Sequence, residues 1–556
     1  MEVSRTDIKA LLRQFGHTSF RPGQERVIRA LLDGRDVLAL LPTGAGKSLV
    51  YQLTAQLLPG ATVVVSPLIA LMQDQVESIT ERGFDVSVID STRSGRAAED
   101  ALQRLGSTES KLLYVTPERF DDESFMAHMR RISVSLFVVD EAHCISEWGH
   151  SFRPSYLTLP DAIKKLGRPV VLALTATATP WIRREIVERL GMRDPHVVVR
   201  GIDRPNLFFE VRRVESEDED RRVLQRLLLD EGAEYPPGLA DELAQSMRGS
   251  GIIYTATTAA ARKTAEWLRG WGIAADYYHG RRRKADRTRV QDAFMSGELR
   301  VIAATNAFGL GVDKPDVRFV IHRDVPGSIE AYYQEAGRAG RDGAFARCTL
   351  IYRPGDIGRA AFLSSGGYLT RDEVRRAWPG LLAHPNGTRR DLEAATGLSK
   401  ADLTRLLAVL ARENITAERR GRIRLLEPDF DPDMVSLEDE DRRRTYERSR
   451  VDMMRAYAEM TGCRRRYILN YFAEEYEKEL CDFCDNCEAG IAVQRDARDE
   501  PFAVNSRVAH PEWGAGQVMR YEGDTILVLF DDVGYKNLAL DIVRERGLLE
   551  PAGDEG

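Results

Sequence analysis

Leu40-Leu41-Pro42-Thr43-Gly44-Ala45-Gly46-Lys47-Ser48 closes an apolar run over residues 37–41 and gives way to the helix-like Leu49-Val50-Tyr51-Gln52-Leu53. A short apolar strand, a glycine loop and a helix, in that order, are the setting a phosphate-binding loop needs. Gly44 and Gly46 let successive backbone N–H groups face one anion, and a helix opening near Lys47 adds its positive end. Lys47 would reach the β- and γ-phosphates of a nucleotide, and Ser48 would ligand Mg²⁺. The strict pattern has glycine five residues before Gly46, where Leu41 stands, so the loop is a variant.

The chain around this loop has 556 residues, enough for three to five domains at roughly 150 residues each. A net charge of −7 argues against indiscriminate coating of nucleic acid and leaves local basic patches open. No run of 18 apolar residues occurs and Met1-Glu2-Val3-Ser4-Arg5 does not open a secretory signal, so a cytoplasmic, nucleoid-associated protein with no membrane partner is expected.

Apolar strand-like runs at 37–41, 63–66, 112–115, 136–140 and 170–175 alternate with helical patterns, and a second series follows at 251–255, 301–305, 317–322 and 348–352. Short β-branched runs of this kind predict parallel sheets covered on both faces. The fold class is therefore α/β, with two tandem domains at 1–205 and 206–360 and a cleft between them. Between the two series lie the acidic cluster Glu215 to Asp220, which reads as a solvated insertion, and a Pro-Pro-Gly at 236–238.

From 365 to 428 the character changes. Thr388 and Ser399 are predicted to cap two helices, the first ending at Gly397 and the second near Asn414. Residues 415–426 then form a hairpin turning at Arg420-Gly421, giving a winged-helix-like segment. Residues 371–424 carry twelve Lys/Arg against seven Asp/Glu, a local +5, so this segment either contacts DNA or is a helical extension. A helical, charged, metal-binding subdomain spans 429–490, and short strands across 500–550 suggest a small barrel.

Asp140-Glu141-Ala142-His143 ends a buried run one strand away from the phosphate loop, where a Mg²⁺-nucleotide needs an acid, direct or through water. Asp140 would hold the ion and Glu141 would polarise the attacking water. Gln334-Glu335-Ala336-Gly337-Arg338-Ala339-Gly340-Arg341 sets two arginines three residues apart, spaced to reach toward developing γ-phosphate charge.

Taken together, these stretches resemble the RecQ-family helicases of superfamily 2 over roughly residues 5–360. The motifs fall in that family's order. They are Phe15 to Gln24, the phosphate loop, Ser66-Pro67-Leu68, Thr116-Pro117-Glu118-Arg119, the DEAH box, Thr175 to Thr179, Asp203 to Asn206, Thr305 to Asp313, and the paired arginines. The resemblance implies that both α/β domains are RecA-like, in an ATP-dependent DNA helicase moving 3′ to 5′ on single-stranded DNA, in recombination, repair or replication, with ATP, Mg²⁺ and Zn²⁺. It implies a nucleotide site of His17, Arg21, Gln24, Thr43, Gly44, Gly46, Lys47, Ser48, Gly311 and Asp313, with His143, Gln334, Arg338 and Arg341 joining Lys47, Asp140 and Glu141 in catalysis. Gln24 would read the adenine edge, while Arg21 and a ring would sandwich the base; His17 stands where many members carry an aromatic. Cys144 to Pro154 resembles the family's aromatic-rich loop, so Trp148 and Phe152 would stack on bases and Arg153 would add charge. Ser66, Thr116, Arg119 and Thr305 resemble its phosphate-gripping positions.

Cys463, Cys481, Cys484 and Cys487 offer four thiolates, a donor set for tetrahedral, structural Zn²⁺. Family members place a winged helix after the zinc segment; here it precedes the cysteines, which makes the 415–426 hairpin the candidate wedge. The tail, with Val508, His510, Trp513, Gly514, Gly516 and Val518, looks like the Tudor-like end of UvrD-type helicases. It would dock a protein such as RNA polymerase or a repair factor, touch DNA, or cap the fold. Three rivals stay open: a translocase or annealing ATPase without unwinding, an RNA helicase, and a non-catalytic docking protein. The preferred DNA, single-stranded, forked or branched, is not written in these motifs.

Overall fold

The computed structural model describes residues 5–42, 46–67, 69–89, 95–106, 111–146, 153–199, 202–229, 240–309, 314–364, 369–419, 421–474, 476, 478–492, 500–504, 506–522 and 524–552. Its first half is a seven-stranded parallel sheet of β1 (Val37–Leu40), β2 (Ala61–Val65), β3 (Val86–Ile89), β4 (Leu112–Val115), β5 (Val134–Val139), β6 (Val170–Thr175) and β7 (His196–Val199). They stand in the order β3-β4-β2-β5-β6-β1-β7. Strands β1 and β2 are buried at every position because helices cover both faces, which is why they read as continuous apolar runs. Leu41 explains the variant loop: it is fully buried, its N–H bonded to Thr175 O at 3.0 Å, so it belongs to the sheet core and not to the phosphate cradle.

The second sheet holds β8 (Leu207–Arg213), β9 (Ser250–Tyr254), β10 (Ala275–Tyr278), β11 (Val301–Ala304), β12 (Val317–His322) and β13 (Ala346–Tyr352), ordered β10-β11-β9-β12-β13-β8. This repeats the first sheet strand for strand, from β3 at one end to β1 near the other. The four strands absent from the sequence-based series, β3, β7, β8 and β10, are all at sheet edges. An edge strand has less of its surface to bury, so mixed sequences such as Ala275-Asp276-Tyr277-Tyr278 suffice there.

The acidic cluster corrects an expectation. Residues Glu217–Leu229 form a helix, and Asp220 in its first turn is buried, accepting from Arg323 Nε at 2.7 Å. Glu217 binds Arg323 Nη2 and Lys263 Nζ, each at 2.9 Å. Acids at a helix start favour its dipole, and here they also moor the helix to the lobe, so this is no solvated insertion. The Pro-Pro-Gly at 236–238 lies outside the described residues.

Downstream, helices Arg371–Ala383, Arg389–Thr396 and Lys400–Arg412 pack with an antiparallel sheet of β14 (Asn386–Thr388), β15 (Thr416–Arg419) and β16 (Arg422–Leu425), ordered β14-β16-β15. Thr388 caps the second helix in a capping box with Asp391, Gly397 ends it at φ 68°, and Ser399 caps the third. The first helix was hidden in the sequence by Pro379 and Gly380 within it. A 22-residue helix, Glu438–Glu459, then leads to the cysteine-bearing segment.

The last unit is an antiparallel sheet of β17 (Arg507–His510), β18 (Gly514–Glu522), β19 (Thr525–Phe530), β20 (Gly534–Ala539) and β21 (Glu550–Pro551), ordered β20-β19-β18-β17-β21. His510 stacks on Trp513 at 4.1 Å with Phe530 edge-on to both, so the tail's motif residues build this sheet's own core. Among the described residues no helix is long and apolar enough to cross a membrane.

Candidate functional site

Strands β5, β6 and β1 are neighbours, so their carboxyl ends bring three loops to one place. Lys47 opens the helix Lys47–Leu57, with Gly46 at φ 72° before it. Its Nζ lies 3.9 Å from Glu141 Oε1. Glu141 Oε2 is 3.4 Å from His143 Nδ1, which is 2.9 Å from Thr175 Oγ1. Since the Thr175 hydroxyl donates to Thr177 O at 3.0 Å, the imidazole donates to it, which places the proton on Nδ1. Burial holds His143 below its ordinary pKa, favouring the neutral ring.

Asp140 is buried, and burial followed by the Glu141 carboxylate pushes its carboxyl up to about 6 against the pull of Lys47. Two adjacent carboxylates facing one lysine, with the Ser48 hydroxyl one residue on, are a donor set that a divalent cation suits. Glu141 itself sits at φ 48°, a left-handed conformation rarely adopted by a side-chain-bearing residue.

Gln24 is 1% exposed. Its Oε1 accepts from Arg21 N–H at 2.9 Å and its Nε2 donates to Gly46 O at 3.1 Å. The amide thus ties the Arg21 loop to the glycine loop before Lys47. A side chain at Gly46 would meet Gln24 Nε2 at 2.7 Å. His17 and Arg21 are exposed, and burial, then Arg82 and Arg21, hold His17 below its ordinary pKa. Thr43, Gly44, Gly311 and Asp313 lie outside the described residues.

In the second lobe Arg338 is buried and donates to Gly309 O, passing so close that a Cβ at Gly309 would overlap its guanidinium. Arg341 is half-buried in the same turn, and Gln334 is half-buried on the helix Ile329–Ala336. The motif at 203–206, to which the sequence attached no role, holds this turn in place. Arg204 donates to Gly337 O, Ala339 O and Gly340 O at 3.1, 2.9 and 2.7 Å, and Asn206 Nδ2 to Gly340 O at 2.9 Å. Arg465, two residues past the first cysteine, in turn grips Asp203 Oδ1 at 2.6 Å, Arg204 O at 2.7 Å and Leu207 O at 2.6 Å.

Of the positions assigned to DNA, Ser66, Thr116 and Thr305 are 2, 3 and 9% exposed. Each follows a strand of its sheet, Ser66 after β2, Thr116 after β4 and Thr305 after β11. Ser66 also helps hold down the Asp140 carboxyl. Arg119 pairs with Asp122 at 3.7 Å, and Arg153 donates to Pro67 O at 3.3 Å. Trp148 and Phe152 lie outside the described residues. The packed thiols Cys144 and Cys348 are both buried.

The sulfurs of Cys463, Cys481, Cys484 and Cys487 all lie within 4.8 Å of one another. A tetrahedral ion about 2.3 Å from each thiolate sets sulfurs about 3.8 Å apart, and the Cys481–Cys487 separation is 3.9 Å. Cys463 caps the helix Arg464–Tyr471, accepting Arg466 N–H at 3.5 Å. Four thiolates of this spacing fit Zn²⁺ and leave no open coordination position, so the site is structural.

Family comparisons agree with this geometry. Residues 21–184 match the DEAD/DEAH box helicase family, 236–343 the helicase conserved C-terminal domain, and 422–488 the RecQ zinc-binding family. Fold and site define a two-lobed, ATP-driven helicase. The chain is 34% identical over 505 residues to the probable ATP-dependent DNA helicase RecS of Bacillus subtilis, covering 90% of this chain and 95% of that one. It is 35% identical over 499 residues to ATP-dependent DNA helicase RecQ of Synechocystis, covering 87% and 98%. Against RecQ of Bacillus subtilis it is 41% identical over 356 residues but spans only 57% of that protein. The chain belongs to the RecQ family of ATP-dependent DNA helicases.

Proposed function

We propose that this protein hydrolyses ATP to move 3′ to 5′ along single-stranded DNA and unwinds the duplex ahead, on forked or branched substrates of recombination, repair or replication. One observation carries the reading: Lys47, Glu141, His143 and Thr175 form one contact chain at the carboxyl ends of three neighbouring strands. Lys47 binds the β- and γ-phosphates, Glu141 orients and deprotonates the attacking water, and Arg338 and Arg341 meet the developing γ-phosphate charge. Ser48 and Asp140 would hold Mg²⁺, which neutralises phosphate charge when bound. His143 and Thr175 link this centre to the segment that leads into the second lobe.

Trp148, Phe152, Arg153 and Arg119 supply stacking and charge to the strand. The three-helix segment with β14–β16 acts as a winged helix whose β15–β16 hairpin splits the duplex, and the last sheet is a Tudor-like barrel offering its outer face to a protein such as RNA polymerase.

ATP turnover measured with and without single-stranded DNA tests the motor. Lys47→Ala and Glu141→Gln should each lower DNA-stimulated turnover by at least a hundredfold, roughly the 3 kcal/mol scale of lost transition-state charge stabilisation; DNA-independent or unchanged turnover overturns the assignment. Deleting residues 418–422 should spare that ATPase while reducing strand displacement, and undiminished displacement rejects the wedge.

A further inference from the structure

The two lobes share one topology, so positions in one sheet can be mapped on the other. Thr116 after β4 corresponds to Thr305 after β11, and Ser66 after β2 to Thr255 after β9. These four positions form a row at the carboxyl ends of the strands, and the DNA reading assigns three of them, Ser66, Thr116 and Thr305, to the sugar-phosphate chain. The row continues by one strand in the second lobe. Strand β10 pairs with β11 at the sheet edge, and its carboxyl end runs into His279-Gly280-Arg281-Arg282-Arg283-Lys284.

This loop lies against the Thr305 segment. Thr305 N–H donates to Tyr278 O at 3.2 Å, and a Cβ on Gly280 would be 3.7 Å from Ala307 Cβ. Residues 281–289 carry six Lys/Arg and one acid, Asp286, in a protein whose net charge is −7. Five of the six fall into two sets, and the sixth, Arg287, is half-buried. Arg282, its side chain largely buried, and Arg289, still exposed, pair with Asp276 at 3.3 and 2.9 Å, and Arg282 lies over the Tyr277 ring at 4.2 Å, which pins the loop. Arg281, Arg283 and Lys284 are exposed, and among the described residues no carboxylate pairs with any of them. Three unneutralised cations on a pinned loop, beside the strand ends that the proposed function gives to DNA, match a regularly charged polyanion.

We propose that Arg281, Arg283 and Lys284 form an additional phosphodiester-binding site for single-stranded DNA, extending the strand's path across the second lobe to its outermost parallel strand. This rests on the DNA-helicase reading above. The contact is electrostatic and blind to base identity, as a moving enzyme requires.

Binding of the full chain to a labelled oligothymidylate across a salt series tests it. Each phosphate contact on a single strand contributes about 0.7 to the slope of log affinity against log salt. Arg281→Ala/Arg283→Ala/Lys284→Ala should therefore flatten the slope by about 2, while Arg281→Lys/Arg283→Lys should keep it. Removing the same charge at Arg221, Arg222 and Arg226, on the helix Glu217–Leu229, should leave it unchanged. A triple variant with wild-type slope and affinity, or an equal flattening in the control, overturns the site while leaving the helicase reading intact. Wild-type protein that shows no salt-dependent DNA binding overturns both.

Discussion

Glu141 shows how much one residue's backbone decides. Its φ of 48° turns the carboxylate from the end of β5 toward Lys47 and His143. Such a conformation costs about 1–3 kcal/mol and persists only where neighbours enforce it. Here its N–H donates to Asp140 Oδ1 at 3.0 Å and its carbonyl accepts Cys144 N–H at 2.8 Å. The DEAH letters gave the residue, but its dihedral could not be read from them. Glu210 illustrates the same limit in the second lobe. Lying within β8, it is fully buried beside Arg347, whose Nε is 2.6 Å from Oε1. Burial alone would raise its carboxyl, but Arg347, then Arg212, outweigh it and hold it near about 2. A carboxylate held below its ordinary 4.5 stabilises the fold fully above that pH, and the contribution is lost as pH falls toward about 2. Glu210→Gln should cost about 3–5 kcal/mol at neutral pH by leaving Arg347 buried and uncompensated. Thermal melting followed from pH 7 to 3 should show a shallower acid loss in the variant, and parallel curves would refute the pairing.

Among elements, the cysteine-bearing helix does more than hold metal. Arg465 on its first turn grips Asp203 and the carbonyls of Arg204 and Leu207, and Arg204 holds the carbonyls around Arg338. The four cysteines, which would hold zinc, therefore anchor one end of a chain of contacts that finishes at the paired arginines. Arg465→Ala should keep bound zinc, measured by metal content, yet lower kcat for DNA-stimulated hydrolysis roughly ten- to hundredfold through misplacement. Arg465→Lys should recover little, because a point charge cannot span three acceptors. Loss of zinc with unchanged kcat would break the proposed link. Central strands were legible at this scale because burial on both faces demands apolar runs. Edge strands and the helix containing Pro379 were not, since their surroundings tolerate sequences that local pattern alone reads otherwise.

At the scale of the whole molecule, the terminal sheet is fastened to the motor. Tyr535 on β20 stacks on Tyr471 at 5.2 Å and Tyr446 at 6.4 Å, while Arg520 on β18 lies 3.4 Å over Tyr467. Asp531 also reaches the first lobe, accepting from Arg184 at 2.8 Å. A freely tethered module would share no such core. Tyr535→Ala should cost about 3–5 kcal/mol at this buried contact, lowering the first thermal transition and exposing the tail to protease; an unmoved transition would mean that the sheet hangs free.

The sequence by itself determined the two parallel-sheet lobes, the strand and helix that flank the glycine loop, the acid pair at the end of β5, the capped helices and the four thiolates. Each of these is a local requirement: a strand buried on both faces, a helix opening after a glycine, an N-cap, a metal's donor set. Tertiary structure alone decided what those parts touch. It put Leu41 into the sheet core, turned Asp220 inward to Arg323, assigned Gln24 to Gly46, and joined the zinc helix to the arginine turn through Arg204 and Arg465. Such contacts join residues far apart in the chain, and the close packing of a folded interior selects them where no local pattern can.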